Sequence, residues 1–301
     1  MFCFNFFELH MPKINEIFAD NQYTDKRIIE KFLCHFLWFS REELWLEHNQ
    51  AIDDAVYSRF VAAYIDYTVK KKPLEYIIGT VWFGGYDFVV NEATLIPRPE
   101  TEYMIQAVDE YLQSVWKKHI LCDVGTGCGV LGLTTVLHNP DFITRAYLSD
   151  YYADALVVAQ ENYDRLCEGI DTDTIQFFDA SLLDYLADED IQIGDPLVVV
   201  ANLPYIPDQT FEDGVWETVK NWEPKYAFVW GDDGLDRYRK MFEQLIAYIW
   251  EWRIASGCVQ FLEMMTWQVD ILCKEYGDVF VFTEVKTFHF NIRIVKVDFL
   301  S

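Results

Sequence analysis

The chain has 301 residues, 51% of them apolar, which suits one large α/β domain with a smaller accessory one. Its 49 acidic against 24 basic residues leave a formal charge of −25. That charge repels polyphosphate partners unless the cations gather on one face, and the short runs Lys70-Lys71-Lys72 and Lys117-Lys118 read as solvated helix ends rather than nucleic-acid patches.

Residues 1–9 are aromatic but lack a basic n-region and a small-residue cleavage site, so no export is predicted. Met11 offers a second possible start, with the first ten residues then unstructured. Apolar stretches such as residues 28–39 are too short or too charged to span a bilayer. Residues 13–72 read as helical. A striped helix is predicted over 25–38, and Ser40-Arg41-Glu42-Glu43 is a capping box opening the next. A third helix over 53–70 carries Val56, Phe60, Ala63, Tyr64 and Tyr67 on one face. Pro73 ends this bundle. Residues 74–91 then alternate like a hairpin linker, with Gly84-Gly85 turning between 80–83 and 86–90.

From residue 93 strands and helices alternate, with strands predicted at 119–124, 143–149, 174–179 and 196–201, the pattern of a doubly wound parallel sheet. A long helix is predicted over 235–252, capped by Asp232 or Asp233. Strands at 257–263, 279–284 and 288–299 close the sheet, the last two as an antiparallel edge pair. The acidic stretches 171–173 and 184–195 read as solvated loops. Seven cysteines without a C-x-x-C pair, and six scattered histidines, fit reduced thiols and no metal site.

Three motifs carry chemistry. Gly125-Thr126-Gly127-Cys128-Gly129 turns the strand at 119–124 into a helix whose free N–H groups suit a carboxylate or a phosphate. Such turns serve dinucleotide folds and methyltransferases alike. Asp150 ends the next strand, where a carboxylate can accept both ribose hydroxyls of an adenosine moiety or simply cap the following helix. Asn202-Leu203-Pro204-Tyr205 leaves a buried strand at the ligand-binding edge of an open α/β sheet. The Asn202 side-chain oxygen and the next main-chain carbonyl can accept hydrogens from a planar NH2, Pro204 stiffens the turn, and the Tyr205 ring suits a planar substrate face. Read alone, the tetrapeptide is equally a common turn.

Taken together, these segments resemble the HemK/PrmC family of glutamine-amide methyltransferases, which modify peptide-chain release factors. The resemblance rests on residues 73–79 (PLEYIIG), 95–102 (LIPRPETE), 123–129 and 202–205, and on Glu223-Pro224 with Gly234-Leu235-Asp236, all in family order. It implies a class I, Rossmann-like S-adenosylmethionine-dependent methyltransferase domain at 93–301 with a mostly parallel seven-stranded sheet. It also implies a helical substrate-binding bundle at 1–72 joined to that domain by the hairpin linker at 73–92. The cofactor implied is S-adenosyl-L-methionine, the partner a release factor without direct nucleic acid or membrane contact, and the compartment the cytoplasm. The acceptor would be the amide of the Gln in a Gly-Gly-Gln loop. Carried over by position, Gly125, Thr126, Gly127, Cys128 and Gly129 would hold the methionine part of the cofactor and Asp150 the ribose. Asp179 and Ala180 would flank the adenine. Asn202, Leu203, Pro204 and Tyr205 would clamp the substrate glutamine, with Asn202 also beside the cofactor.

Leu203 stands where the family usually has proline, Ala180 where a bulkier residue is frequent, and Cys128 where Thr is usual. Asn-Leu-Pro-Tyr is also the wording of ribosomal RNA adenine dimethyltransferases. An adenine exocyclic-amine methyltransferase acting on RNA or DNA is therefore the alternative, and a catalytically dead release-factor binder is a third reading.

Overall fold

The computed structural model describes residues 11–170, 174–188, 195–251, 254, 257–288 and 291–300. The first ten residues, 171–173 and 189–194 lie outside them, and with them the acidic stretch at 171–173 and half of that at 184–195. Asp184–Ala187 forms a 3-10 turn with Tyr185 and Leu186 buried in the core, instead of the solvated loop expected there. The chain divides between Ile78 and Gly79 into two compact units.

The first unit is built from α1 (Ile14–Ala19), α2 (Lys26–Leu37), α3 (Arg41–Leu46), α4 (Asp54–Thr68) and α5 (Leu74–Ile78). Three of its helices start at side-chain caps, of which the Ser40 box is the one predicted. Asp25 accepts from the Arg27 and Ile28 N–H groups, Asp53 accepts from Val56 N–H, and Ser40 with Glu43 forms the reciprocal capping box. The apolar stripes of α2 and α4 meet in a core that includes Ile29, Phe32, Leu33 and Phe60, with Tyr23 packed edge-on to Phe60 at 5.0 Å between ring centroids. Residues 74–78 depart from the hairpin expected there. They form α5, opened by an Ile77 N–H bond to the Pro73 carbonyl at 3.2 Å, and Leu74, Ile77 and Ile78 pack on the helical core. Proline is pre-set for a first helical turn, so it starts this helix, while α4 has already ended at Thr68, ahead of the expected stop at Pro73.

In the second unit β1 (Thr80–Phe83) and β2 (Tyr86–Val89) form the predicted hairpin around Gly84-Gly85. Asn162 pairs with the main chain of Val89 in both directions, at 2.6 and 2.9 Å, so the hairpin is tied into this unit. A 3-10 turn at Pro99–Thr101 leads into α6 (Glu102–Val115), followed by β3 (His119–Val124), α7 (Val130–His138), β4 (Ile143–Asp150), α8 (Ala153–Leu166), β5 (Ile175–Asp179) and β6 (Leu197–Ala201). Two short helices, α9 (Asp208–Gly214) and α10 (Glu217–Trp222), precede α11 (Asp236–Trp250). Next come β7 (Cys258–Met265), α12 (Thr266–Tyr276), β8 (Phe280–Thr287) and β9 (Ile292–Phe299). The helix start foreseen at 235 falls one residue later, and Asp233 bonds the Leu235 N–H just ahead of it instead of capping the helix.

The seven-stranded sheet runs β5-β4-β3-β6-β7-β9-β8, parallel through β7, with β9 antiparallel to both β7 and β8. β3 and β6 are buried at every residue, as the central strands of such a sheet must be. Chain order reverses between them, so the crevice beyond their carboxyl ends is where this topology places a ligand. On one face the core gathers Val199 and Leu262 beneath Tyr238, Met241, Phe242 and Leu245 of α11.

Phe60 is fully buried in the first unit, and Phe60→Ala is expected to destabilise that unit by ~3–5 kcal/mol. Urea unfolding measures this directly, and a loss below about 1 kcal/mol would show that the aromatic cluster does not hold the bundle.

Candidate active site at the switch point of the sheet

A cleft of about 930 Å³, part of it open to solvent, lies at that crevice. Its walls include Gly125, Thr126, Gly127 and Cys128 after β3, Asp150 at the end of β4, Ala180 after β5, and Asn202, Leu203 and Pro204 after β6. Three predicted site residues are not in the lining. Gly129 sits beneath the loop at the start of α7, the exposed Asp179 ends β5, and Tyr205 turns towards the interior.

The glycine-rich turn is organised by a buried carboxyl. Asp123 Oδ2 accepts from Thr126 Oγ1 at 2.5 Å and from Gly132 N–H at 2.7 Å, which joins the end of β3 to α7. Its Oδ1 is buried without a partner among the described residues. Burial pushes the Asp123 carboxyl up to about 7 against these two hydrogen bonds, with the negative Asp150 adding to the rise. Gly129 adopts φ 87°, a conformation that favours glycine, while a Cβ there would only press on the movable end of Leu133 at 2.9 Å.

Asp150 spans two chain segments. Oδ2 accepts from Gly127 N–H at 2.9 Å and Oδ1 from Tyr152 N–H at 3.0 Å. The helix-cap alternative is not what the geometry shows, since α8 is preceded by Tyr152 and takes no side-chain cap. Burial raises the Asp150 carboxyl, the Tyr152, Gly127 and Tyr151 N–H groups pull it back, and the nearby Arg237 favours the charged form. Each Asp150 oxygen keeps a lone pair for a ligand hydroxyl.

After β6, Asn202 Nδ2 donates to Thr101 Oγ1 at 3.2 Å, Thr101 Oγ1 donates to Glu263 Oε2 at 3.0 Å, and the Tyr205 hydroxyl donates to Glu263 Oε1 at 3.0 Å. The Tyr205 carbonyl accepts from Gln268 Nε2 at 2.7 Å. The Tyr238 hydroxyl gives its one proton to the Glu263 carbonyl at 2.5 Å and stands 3.5 Å from the Leu203 carbonyl, which stays available to a substrate. The Leu203 side chain is itself core, and a Cβ on Gly125 would lie 3.0 Å from its Cδ2.

Residues unassigned from sequence complete the cleft. Thr101 lies inside the 95–102 motif but had no stated role. Glu263 is a lone acid in an apolar strand, and that break in pattern was its only signal. Arg237, 9% exposed, stacks 3.5 Å over the Trp230 ring centroid and faces Tyr151 at 5.4 Å. Tyr152 and Tyr226 stack at 3.6 Å between centroids. Nothing in the local sequence marks these last three contacts. Behind the cleft, Glu223 accepts from Ile96 N–H at 3.0 Å and pairs with Arg98 at 2.6 Å, which explains why two motifs so distant in sequence occur together.

No protein-family model matches the chain. Among curated proteins it is 35% identical over 232 residues to the release factor glutamine methyltransferase of Bacillus cereus, covering 76% of this chain and 77% of the relative. It is 34% identical over 232 residues to that of Chlorobaculum tepidum, covering 74% and 75%. The chain belongs to the release factor glutamine methyltransferase family. A solved structure with a similar fold is the hMettl16 catalytic domain in complex with the MAT2A 3′UTR hairpin 6, with a TM-score of 0.53, 14% identity, and 82% of each chain covered. At that identity the likeness speaks for the class I methyltransferase fold alone.

Gly234 backs the turn after β6. It adopts φ 70°, and a Cβ there would lie 2.2 Å from the Tyr205 carbonyl oxygen. Gly85, at φ 91°, has open space around it and serves as a control. Gly85→Ala is expected to cost only the conformational ~1–2 kcal/mol, and Gly234→Ala distinctly more, measured by urea unfolding. Equal losses would mean that the turn at Tyr205 yields freely.

Proposed function

We propose that this chain transfers a methyl group from S-adenosyl-L-methionine to the side-chain amide nitrogen of the glutamine in a Gly-Gly-Gln loop of a peptide-chain release factor. One observation carries the reading. Asn202 and the Leu203 carbonyl stand at the end of β6 in the same cleft as the glycine-rich turn and Asp150, which puts two acceptors for an NH2 beside a nucleoside-type pocket.

The residues present fit the cofactor. The Gly125–Gly129 turn opens the N-terminus of α7 towards a carboxylate, Asp150 keeps acceptor capacity for ribose hydroxyls, and Ala180, Leu182 and Tyr151 give an apolar wall for adenine. When bound, the cofactor supplies an electrophilic sulfonium methyl. The protein's part is to position the acceptor. A carboxamide nitrogen is a poor nucleophile because its lone pair is delocalised, and orientation in a near-attack geometry is worth up to ~7–11 kcal/mol in favourable systems. The Asn202 oxygen and the Leu203 carbonyl would hold the NH2 in that geometry and stabilise positive charge as it develops on nitrogen. The proton then passes to water.

The helical first unit would grip the protein substrate, and the reaction would take place in the cytoplasm. No described helix is long and apolar enough to cross a membrane. The charge of −25 favours a protein over a polyanion as substrate, and no direct nucleic-acid contact is proposed.

Incubation with methyl-labelled S-adenosylmethionine and either a release factor or ribosomal RNA tests the reading. Label is expected in the release factor and is expected to vanish when its loop Gln is replaced by Ala. Label entering RNA with the release factor untouched would overturn it. Asn202→Ala is expected to lower turnover ~10²- to 10³-fold with cofactor affinity nearly intact. Near-normal turnover would remove Asn202 from the clamp. Asp150→Ala is expected to weaken binding of S-adenosylhomocysteine about ten- to a hundred-fold in calorimetry, as a charged acceptor is lost. Unchanged affinity would leave Asp150 with only its loop-holding role.

A further inference from the structure

Asn202 can receive a substrate NH2 only if its oxygen, and not its own NH2, faces the cleft. A carboxamide has nearly the same shape either way round, so packing alone does not choose. The hydrogen bonds behind it do. Thr101 Oγ1 lies 3.2 Å from Asn202 Nδ2 and 3.0 Å from Glu263 Oε2. A threonine hydroxyl has one proton, and an ionised carboxylate has none to offer. The Thr101 proton therefore points at Glu263, and only a lone pair is left for Asn202. A lone pair is met by the amide NH2, which sends the amide oxygen to the cleft.

The other end of the carboxylate is equally defined. Glu263 Oε1 accepts the Tyr205 hydroxyl at 3.0 Å, and the residue is 2% exposed, so no solvent competes for its oxygens. We propose that Glu263, acting through the Thr101 hydroxyl, fixes the orientation of the Asn202 amide so that the clamp presents an acceptor to the substrate nitrogen. This role rests on the function proposed above. Thr101 and Glu263 are positioning residues, since neither is assigned a contact with the reacting atoms. With the relay reversed, a proton held on Glu263 would pass to Thr101, Thr101 would donate to the amide oxygen, and one NH2 would face another. Burial raises the Glu263 carboxyl and the nearby Glu100 adds to that rise, while hydrogen bonds from Thr101, Tyr205 and, more weakly, the Asn202 amide itself act against it by stabilising the charged form.

Thr101→Val keeps the shape of the side chain and deletes the relay. The Asn202 NH2 would then lose its hydroxyl partner and keep only its weaker contact with Glu263, which leaves the amide freer to turn its NH2 towards the wetter cleft. Steady-state methyl transfer to a release factor is expected to show kcat lower by about ten- to a hundred-fold, with KM for the release factor and affinity for S-adenosylhomocysteine within about two-fold. Thr101→Ser restores the hydroxyl and is expected to recover most of kcat. Should the valine variant fail to fold, as judged by thermal unfolding, the smaller Thr101→Ala carries the same expectation. The proposal is overturned if a folded Val or Ala variant turns over within about two-fold of wild type, or if Ser is as impaired as Val. A wild-type protein that leaves the release factor unlabelled overturns the functional reading and this role with it, whereas labelling that survives loss of the hydroxyl overturns the relay alone.

Discussion

A carboxylate taken out of water must be given hydrogen-bond donors, and this chain uses that requirement to fold its active-site loops. Three buried carboxyls do so: Asp123, Glu223 and Glu263. Each draws its donors from neighbouring loops. Asp123 takes the Thr126 hydroxyl and the Gly132 N–H, which shapes the glycine-rich turn. Glu223 takes the Ile96 N–H and the Arg98 guanidinium, which pins the segment leading to Thr101. Glu263 takes the hydroxyls of Thr101 and Tyr205, which holds both the approach to α6 and the turn after β6. An unmet buried oxygen costs about 1–3 kcal/mol or more, a cost avoided at each of these oxygens except Asp123 Oδ1, so the loops are fixed largely by what the sheet buries and not by their own propensities.

This arrangement explains why leucine can stand at position 203. Under the proposed function the clamp needs a main-chain carbonyl there, and any residue supplies one. What the side chain must do is fill the space over Gly125, and Leu203 does so as part of the core while Gly234 and Gln268 brace the next carbonyl from behind. The burden of stiffness then falls on Pro204 and on the hydroxyl of Tyr205. Tyr205 thus serves the interior more than the substrate face.

Most of the fold was legible because its signals are local. The capping box at Ser40, the Gly84-Gly85 turn and the apolar runs of β3 and β6 each declare themselves within a few residues. The misread helix α5 shows the limit of such signals, since Leu74, Tyr76 and Ile78 alternate like a strand yet pack as a single turn after Pro73. The ends of the site were legible too, with Gly125, Asp150 and Asn202 converging as the topology requires. The middle of the site was not. Thr101 and Glu263 are 162 positions apart, and only the sheet brings them together. Arg237 on Trp230 and Tyr152 on Tyr226 are likewise products of tertiary packing with no periodic signature.

Under the proposed function the relay behind Asn202 also bears on reactivity. From the substrate nitrogen inward, every hydrogen bond runs the same way: substrate NH2 to Asn202 oxygen, Asn202 NH2 to Thr101, Thr101 hydroxyl to Glu263. Aligned bonds in a low-dielectric interior polarise one another, so an ionised Glu263 at the far end would make the Asn202 oxygen a better acceptor than an isolated amide. The charge itself stays away from the sulfonium and the acceptor nitrogen, where a bare carboxylate would bind the cofactor's positive charge before and after transfer alike. Through the Asn202 amide, reached both by way of Thr101 and directly, its influence would fall on the substrate NH2, where positive charge grows only as the new bond forms. Preference for the transition state over the ground state is what accelerates a reaction, and a buried charge acting through a fixed relay supplies that preference without a general base.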